Sequence, residues 1–379
     1  MSGPWRQNTI LVKRGNRALE NFKSFITEEE DKDEPYKLLI LSSHDPHDPN
    51  VTGPLIRKKA SELGIEVFLA EFNGMYMEDK GKDQLVYSFP VDEEGAYEPP
   101  GMKDDGVKYD KPFRINPENT LVMSRGTGVG AKTGNMSWRV ACINLESQGY
   151  TLINPIECHD ICIDKWYNQI VFKKEGIRTP KTVLVRHSEG AKEAAERLGG
   201  KFPMILKTAV GSRGVGVIWV ESLKSLHSIV QLLYREDEFV DVILQEYIKT
   251  DYDVRVIIAA GKIMGAMKRP VVGDDFRSNV SQGSEPEVYE LTEIEAEQSL
   301  RAAESVKGQL VGVDFIPAKN RDKESPYFIE VNSTPGLLGI EAVLSKTKAK
   351  PAKHVMKNEG IKSITKEILQ LYMNRDNWS

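Results

Sequence analysis

The sequence predicts an α/β protein: an N-terminal parallel α/β domain followed by two mixed α+β units that flank a cleft. Three observations carry this. From Tyr36 onward short apolar runs alternate with helical stretches, glycine and Asp-Pro turns punctuate them, and after Val242 the alternation gives way to a hairpin and paired strands.

At 379 residues the chain exceeds one average domain, and 40% hydrophobic residues can bury a sizeable core. Charged residues make up 28%, as in soluble globular proteins. A formal net charge of -5 gives no general attraction to polyphosphate backbones, so no nucleic-acid partner is expected. The N-terminus lacks the apolar core of a secretory signal, and nowhere do about 18 apolar residues run uninterrupted. A cytoplasmic protein with no membrane partner is expected. Cysteine usage, three in all, fits a reducing compartment. Cys158, His159 and Cys162 have no evident fourth ligand and read as packing residues rather than a zinc site.

Residues 1–35 read as an N-terminal extension ending in an acidic, solvated run. The N-terminal α/β domain, 36–157, opens with an apolar strand from Lys37, a turn rich in Asp and Pro, a helix from Gly53 and an apolar strand from Ile65. That is a β-α-β unit. The Asp-Pro pairs beside His44 and His47 mark turns rather than metal ligands. Residues 77–118 are polar, with Pro99 and Pro100, so loops or an irregular hairpin outside the core are expected there. Strands from Thr120 and Thr151, with a helix near 136–148 between them, complete a small parallel sheet.

A central unit, 158–244, begins with one helix from Asp160 to Glu175 closed by Gly176. Strand 181–187, a helix capped by Ser188, strand 202–209, a glycine loop, strand 214–220 and a helix from Ser222 follow. A strand from Val242 leads into the last unit, 245–379. It holds hairpin arms 253–260 and 262–269 meeting at Gly261, and a helix opened by the capping box of Thr292 and Glu295. Strands 310–317 and 327–332 and an amphipathic helix from about Ile361 complete it.

The loop Gly211-Ser212-Arg213-Gly214-Val215-Gly216 joins two strands, and Lys207 lies just before it. Such glycines let backbone N–H groups approach phosphate oxygens, while the lysine adds compact positive charge. Alone, the loop reads equally well as a tight hairpin. Residues 126–133 approach the P-loop pattern, but Ala131 replaces its last glycine, and the segment reads as a strand-to-helix loop.

The metal signal is Asp314 on one strand with Glu330 and Asn332 on the next. Residues i and i+2 of a strand share a face, so Glu330 and Asn332 project together and Asp314 can meet them from the adjacent strand. Three oxygen donors, two of them charged, suit Mg2+. Carboxylates between such apolar flanks are costly unless paired or metal-bound. Glu246 and Tyr247 end a strand at a unit junction, where backbone groups can pair with an adenine edge and Asp253 can accept ribose hydroxyls. Salt bridging is the alternative for Asp253 and for Arg255, which shares its strand face.

Across these motifs the chain resembles the RimK-like branch of the ATP-grasp ligases, known for adding glutamate to the C-terminus of a ribosomal protein. The likeness covers about residues 120–345 and is carried, in order, by DKWYNQIVFKKEGI, FPMILKTAVGSRGVGV, LQEYIKTDYDVRVII, DFRSN, GVDFI and EVNSTPGLLGIE. The resemblance implies an α+β ATP-grasp fold whose two subdomains clamp the nucleotide. ATP and Mg2+, with Mn2+ as a substitute, are the implied cofactors. Lys165 and Lys207 would contact the ATP phosphates under the loop of Gly211, Ser212, Gly214 and Gly216, Glu246 and Tyr247 the adenine, and Asp253 the ribose. Arg277, Ser278 and Asn279 would line the nucleotide and substrate side, and Asp314, Glu330 and Asn332 would hold Mg2+. The resemblance also implies a homo-oligomer.

The expected chemistry is amide formation. Transfer of the γ-phosphoryl group activates a carboxylate, an amine attacks the acyl phosphate, and Arg255 or Arg277 stabilises the oxyanion. Glutamate and a peptide or protein C-terminus are the expected substrates. A small-molecule amino-acid or dipeptide ligase and a non-catalytic nucleotide-binding regulator are the alternatives. Lys268, Arg269, Arg277 and the lysines from Lys346 to Lys357 are the cationic groups expected to favour acidic substrates. The N-terminal extension, residues 77–118 and that lysine-rich segment depart from the family pattern.

Overall fold

The computed structural model describes residues 36–42, 51–93, 109–125, 134–210, 216–236, 240–271, 286–344 and 363–378. Among these residues the strands form four sheets. The first is parallel, in the order β2-β1-β6-β7, from β1 (Lys37–Ser42), β2 (Glu66–Glu71), β6 (Thr120–Ser124) and β7 (Thr151–Ile153). Helices α1 (Thr52–Glu62) and α2 (Gly134–Ser147) make its crossovers. Strands β1 and β6 are buried almost throughout, as a parallel sheet covered on both faces requires. Leu38 and Ile40 pack with Leu55 and Ile56 of α1, while Leu39 and Leu41 face Trp138, Cys142 and Leu145 of α2.

The polar stretch 77–118 is where the expectation fails. Strands β3 (Met75–Lys80), β4 (Asp83–Ser88) and β5 (Phe113–Ile115) form an antiparallel sheet, and Val86, Phe113 and Ile115 enter the core. The buried face of β4 also carries Gln84 and Ser88, and Ser88 Oγ accepts a hydrogen bond from the Glu71 amide at 2.7 Å. Two of three inward residues are polar, Gln84 donating to Gln148 Oε1 with its own Oε1 unpartnered, so the period of two is invisible to hydropathy.

The expected single helix at 160–175 is two: α3 (Ile156–Ile163) and α4 (Lys165–Lys174). Asp164 breaks them by adopting an extended backbone and capping α4, its carboxylate accepting from the amides of Trp166 and Tyr167. Ser188 is not a helix cap either. It starts a 3-10 turn, and the His187 ring accepts from the Gly190 amide at 3.0 Å before α5 (Ala191–Arg197) begins.

The third sheet, order β10-β9-β11-β8, is antiparallel: β8 (Thr182–Val185), β9 (Met204–Thr208), β10 (Val217–Val220) and β11 (Val242–Glu246), backed by α5 and α6 (Leu223–Glu236). The fourth has the order β14-β13-β12-β15-β16, from β12 (Tyr252–Ala259), β13 (Lys262–Pro270), β14 (Glu287–Val288), β15 (Leu310–Ile316) and β16 (Tyr327–Asn332). Its hairpin turns at Ala260 and Gly261, both with positive φ, and α7 (Glu293–Ser305) opens with the predicted capping box. Phe172 of α4 packs on Phe328 and Phe315 of this sheet, each such burial contributing about 1.5–3 kcal/mol. After α8 (Leu338–Leu344), α9 (Ile364–Met373) returns to the parallel sheet, where Ile368, Leu369 and Tyr372 join the cluster of Leu38 and Ile40. No described helix is long and apolar enough to cross a membrane.

Candidate active site

Register across the fourth sheet lines up a row of charged side chains. Asp253 of β12 pairs with Arg269 of β13, Arg255 of β12 with Asp314 of β15, and Asp314 with Glu330 of β16. The predicted acidic trio converges: Asn332 Nδ2 lies 3.3 Å from both Asp314 Oδ2 and Glu330 Oε1. The amide stands against both carboxylates, where a shared cation would sit, and turning it over presents its oxygen instead. Two carboxylates and an amide oxygen are a donor set that fits Mg2+. Among the described residues no three His, Cys, Asp or Glu side chains cluster as a metal site, so the set here is two carboxylates and one amide.

Asp314 also carries two arginines. Arg255 donates from Nε to Oδ1 at 2.7 Å and from Nη2 to Oδ2 at 2.6 Å, and Arg269 Nη2 lies 3.0 Å from Oδ2. Burial opposes charge on Asp314, but the two guanidiniums outweigh it and hold its carboxyl below the usual carboxylate range. Arg269 in turn grips Asp253 through two 2.6 Å hydrogen bonds. Asp253 is thus held in the salt bridge that was the alternative to a ribose contact. Gly312, two residues before Asp314, leaves little room for a side chain: a Cβ there would lie 3.0 Å from Pro335 Cβ.

Lys207 approaches from the third sheet and Lys165 from the start of α4. Lys207 Nζ donates to Gln245 Oε1 at 2.9 Å. Burial pushes its ammonium down to about 8, Glu330 opposing the shift and Lys165 adding to it. Lys165 begins α4, and its amide donates to Ala209 O at 2.9 Å, tying that helix to the end of β9. The two lysines and Glu330 are therefore close enough for their charges to act on one another. Glu246 Oε1 accepts from the Lys181 amide at 2.8 Å, and Tyr247 meets Trp219 edge-on with ring centroids 4.7 Å apart. Gly216 closes the β9–β10 connection with φ 78°, and a Cβ there would lie 2.6 Å from Thr208 Oγ1.

Gly211, Ser212, Gly214, Arg277, Ser278 and Asn279 lie outside the described residues, as do His44, His47, the loop 126–133 and Lys346 to Lys357. Arg269 is spent on Asp253 and Asp314, and Lys268 pairs with Glu287 at 3.3 Å. Both cations expected to face the substrate are thus paired with acids. Cys158 and Cys162 lie side by side with sulfurs 3.9 Å apart, and His159 is held between Ser124 and Ser333, so the three do not converge on a metal. The partners missed from sequence are Arg269 for Asp314 and Gln245 for Lys207; alternation along β13 and β11 was their only signal.

The comparisons with known proteins meet this geometry. A family model described as a RimK-like ATP-grasp domain matches residues 162–356. A probable alpha-L-glutamate ligase of Rhodopirellula baltica is 35% identical over 181 residues, covering 47% of this chain and 43% of that protein. The coenzyme gamma-F420-2:alpha-L-glutamate ligase of Methanococcus maripaludis is 29% identical over 250 residues, 64% of this chain and 83% of that one. The ATP-grasp ligase PsnB, solved with its minimal precursor, superposes with a TM-score of 0.56 at 16% identity, covering 81% of this chain and 93% of PsnB. A further PsnB structure carries the precursor, Mg and ADP. These likenesses define the class as ATP-grasp. The chain belongs to the RimK-like ATP-grasp family, although it matches only about half the length of the first curated relatives, 43% and 59%.

Proposed function

We propose that the protein is an ATP-dependent carboxylate-amine ligase that joins glutamate, or another acidic amino acid, to the C-terminus of a peptide or protein. The observation that carries this reading is the convergence of Asp314, Glu330 and Asn332 beside the Lys207 and Lys165 charges. In this reading Asp314, Glu330 and Asn332 would hold Mg2+, which would neutralise charge on the nucleotide phosphates. Lys207 and Lys165 bind those phosphates, and the glycine loop covers them. Gly211, Ser212, Gly214 and Gly216 supply backbone donors, Glu246 and Tyr247 frame the adenine, and Ser278, Asn279 and Arg277 face the substrates. The γ-phosphoryl group passes to a carboxylate. An amine then attacks the acyl phosphate, phosphate leaves, and the amide remains.

Arg255 is oriented by Asp314, so it acts as a fixed positive charge whose unspent donor can meet a developing oxyanion. Its role is the same whichever carboxylate is activated. The name of the Rhodopirellula relative and the peptide precursor bound to PsnB support an amino acid and a peptide as substrates. The coenzyme named for the Methanococcus relative favours a second reading, a ligase that adds glutamate to a small molecule.

ADP release by purified protein with ATP, Mg2+ and single amino acids, with and without peptide acceptors, tests the proposal. Mass spectrometry should find an acceptor heavier by one or more glutamate residues. A product formed only on small-molecule acceptors would replace the first reading by the second, and one formed only with a neutral amino acid would overturn the acidic substrate in both. No ADP under any combination would leave a nucleotide-binding regulator.

A further inference from the structure

Strand β6 ends at the carboxyl edge of the parallel sheet on Ser124 and Arg125. Arg125 is 3% exposed, and its Nη2 donates to Pro335 O at 2.8 Å, with Thr334 O at 3.5 Å. Its Nε has no hydrogen-bond partner. Among the described residues no carboxylate pairs with it, in contrast to Arg255 and Arg269, which both hold acids. Burial alone pushes the guanidinium down, to about 10. A buried cation answered only by carbonyls is costly, and the cost is removed when an anion arrives.

The surroundings hold this arginine in place. His159 bridges Ser124 Oγ at 2.6 Å and Ser333 Oγ at 2.8 Å, and Asn154 Nδ2 donates to Ser333 O at 2.5 Å. Burial, reinforced by the Arg125 charge, pushes His159 down to about 3, so the ring is a neutral bridge. It ties the end of β6 to the residue directly after Asn332. Arg125 itself grips the backbone three residues beyond Asn332. A ligand on Arg125 therefore lies where the carboxyl edge of a parallel sheet, the usual ligand crevice of α/β folds, meets the segment that leaves the acidic trio.

We propose that Arg125 receives the α-carboxylate of the amino acid whose amine attacks the acyl phosphate. The inference rests on the ligase reading and names the group that recognises this substrate. An incoming amino acid must bring its own carboxylate beside phosphates and Asp314 and Glu330, and only a cation not already spent on an acid offsets that repulsion. A guanidinium held on one side by backbone carbonyls can still present a planar pair of donors to a carboxylate.

The test compares wild type with Arg125→Met and Arg125→Lys, using whichever amino acid supports ADP release, together with its α-amide. Wild type should prefer the acid over the amide by about 100-fold in kcat/KM. In Arg125→Met that preference should vanish while the KM for ATP stays within about twofold. Arg125→Lys, which keeps the charge and a donor for Pro335, should keep a reduced preference and covers the case in which Arg125→Met does not fold. An unchanged preference in either folded variant, or a parallel loss of ATP and amino-acid binding, overturns the proposal. Calorimetric titration of L-glutamate into wild type with ADP and Mg2+ separates it from the ligase reading. Binding that discriminates acid from amide without any turnover would sink ligation and leave Arg125 its ligand.

Discussion

Arg255 and Asp314 are cross-strand register partners whose side chains close a two-point ion pair, Nε to Oδ1 at 2.7 Å and Nη2 to Oδ2 at 2.6 Å. Arg269 adds a third contact to the same carboxylate, so this acid is a structural anchor as well as a candidate metal ligand. Its two roles separate it from Glu330, which no arginine among the described residues holds.

Asp314→Asn should therefore destabilise the protein even without nucleotide, because Arg255 and Arg269 lose the anion between them. Breaking one side of a buried ion pair costs about 3–5 kcal/mol. Glu330→Gln should cost less, because no arginine among the described residues holds that carboxylate and only the longer-range attraction to Lys207 is lost. Urea unfolding of the two variants measures the contrast; equal midpoints would show that the arginines find other partners. The pH dependence has a definite sign. The folded-state pKa of Asp314 lies below its unfolded value, so its contribution is present above the ordinary carboxylate range and is lost as pH falls through the folded value.

Lys207 sets a second pH dependence, with the opposite chemistry. Its ammonium titrates near 8, so it is charged at pH 7 and mostly neutral at pH 9. Affinity for ADP should fall as pH rises across that window, by up to about tenfold per unit where binding needs the protonated form. Unliganded protein should respond the other way: the unfolded chain holds this proton more tightly, so the group favours folding increasingly as pH rises past 8. Lys207→Arg keeps its charge at both pH values and should flatten the ADP profile measured by calorimetry. A wild-type affinity that does not change between pH 7 and pH 9 would remove Lys207 from the phosphates.

Much of this was legible in the sequence because the signals were local. The alternation Glu330-Val331-Asn332 fixes which side chains share a face, and Gly261 and the Thr292 capping box mark their turns without tertiary information. What stayed hidden depended on partners distant in the chain. Nothing near Asp253 says that Arg269 will claim it, because that follows from hairpin register, and Asp164 broke a periodic helical stretch by capping its second half. The inward face of the β3-β4-β5 sheet was missed because Gln84 and Ser88, both polar, turn inward there.

Gly216→Ala should perturb the phosphate side without touching a charge. The residue has φ 78°, and its new Cβ would press on Thr208 Oγ1, in the strand that carries Lys207. A left-handed non-glycine residue costs about 1–3 kcal/mol, which the β9–β10 connection can relieve only by shifting. ADP affinity should drop on the order of tenfold, the equivalent of about 1.4 kcal/mol. Global unfolding should move less than in Asp314→Asn. Unaltered ADP binding would mean that this connection is a plain hairpin.

The metal assignment is best tested by changing Asn332, the one uncharged member of the trio. Its amide nitrogen lies 3.3 Å from each carboxylate, a contact that relieves their mutual repulsion. Asn332→Asp replaces that donor with a third negative charge. The variant should melt lower than wild type when EDTA is present, since three carboxylates then crowd one face of the sheet. Added Mg2+ with ADP should raise its melting temperature more than that of wild type, because a cation that binds only the folded state stabilises by RT ln(1 + [L]/Kd). Asn332→Ala removes the donor without adding a charge, so it should melt lower than wild type in EDTA but by less than Asn332→Asp, and should respond more weakly to Mg2+. Changing even a residue that only hydrogen-bonds to a metal ligand costs about 10–100-fold in metal affinity, so losing a direct ligand should shift the Mg2+ midpoint for ADP formation by at least about tenfold. Equal Mg2+ responses in wild type, Asn332→Asp and Asn332→Ala would place the cation elsewhere in the cleft and leave Asn332 as a spacer between two acids.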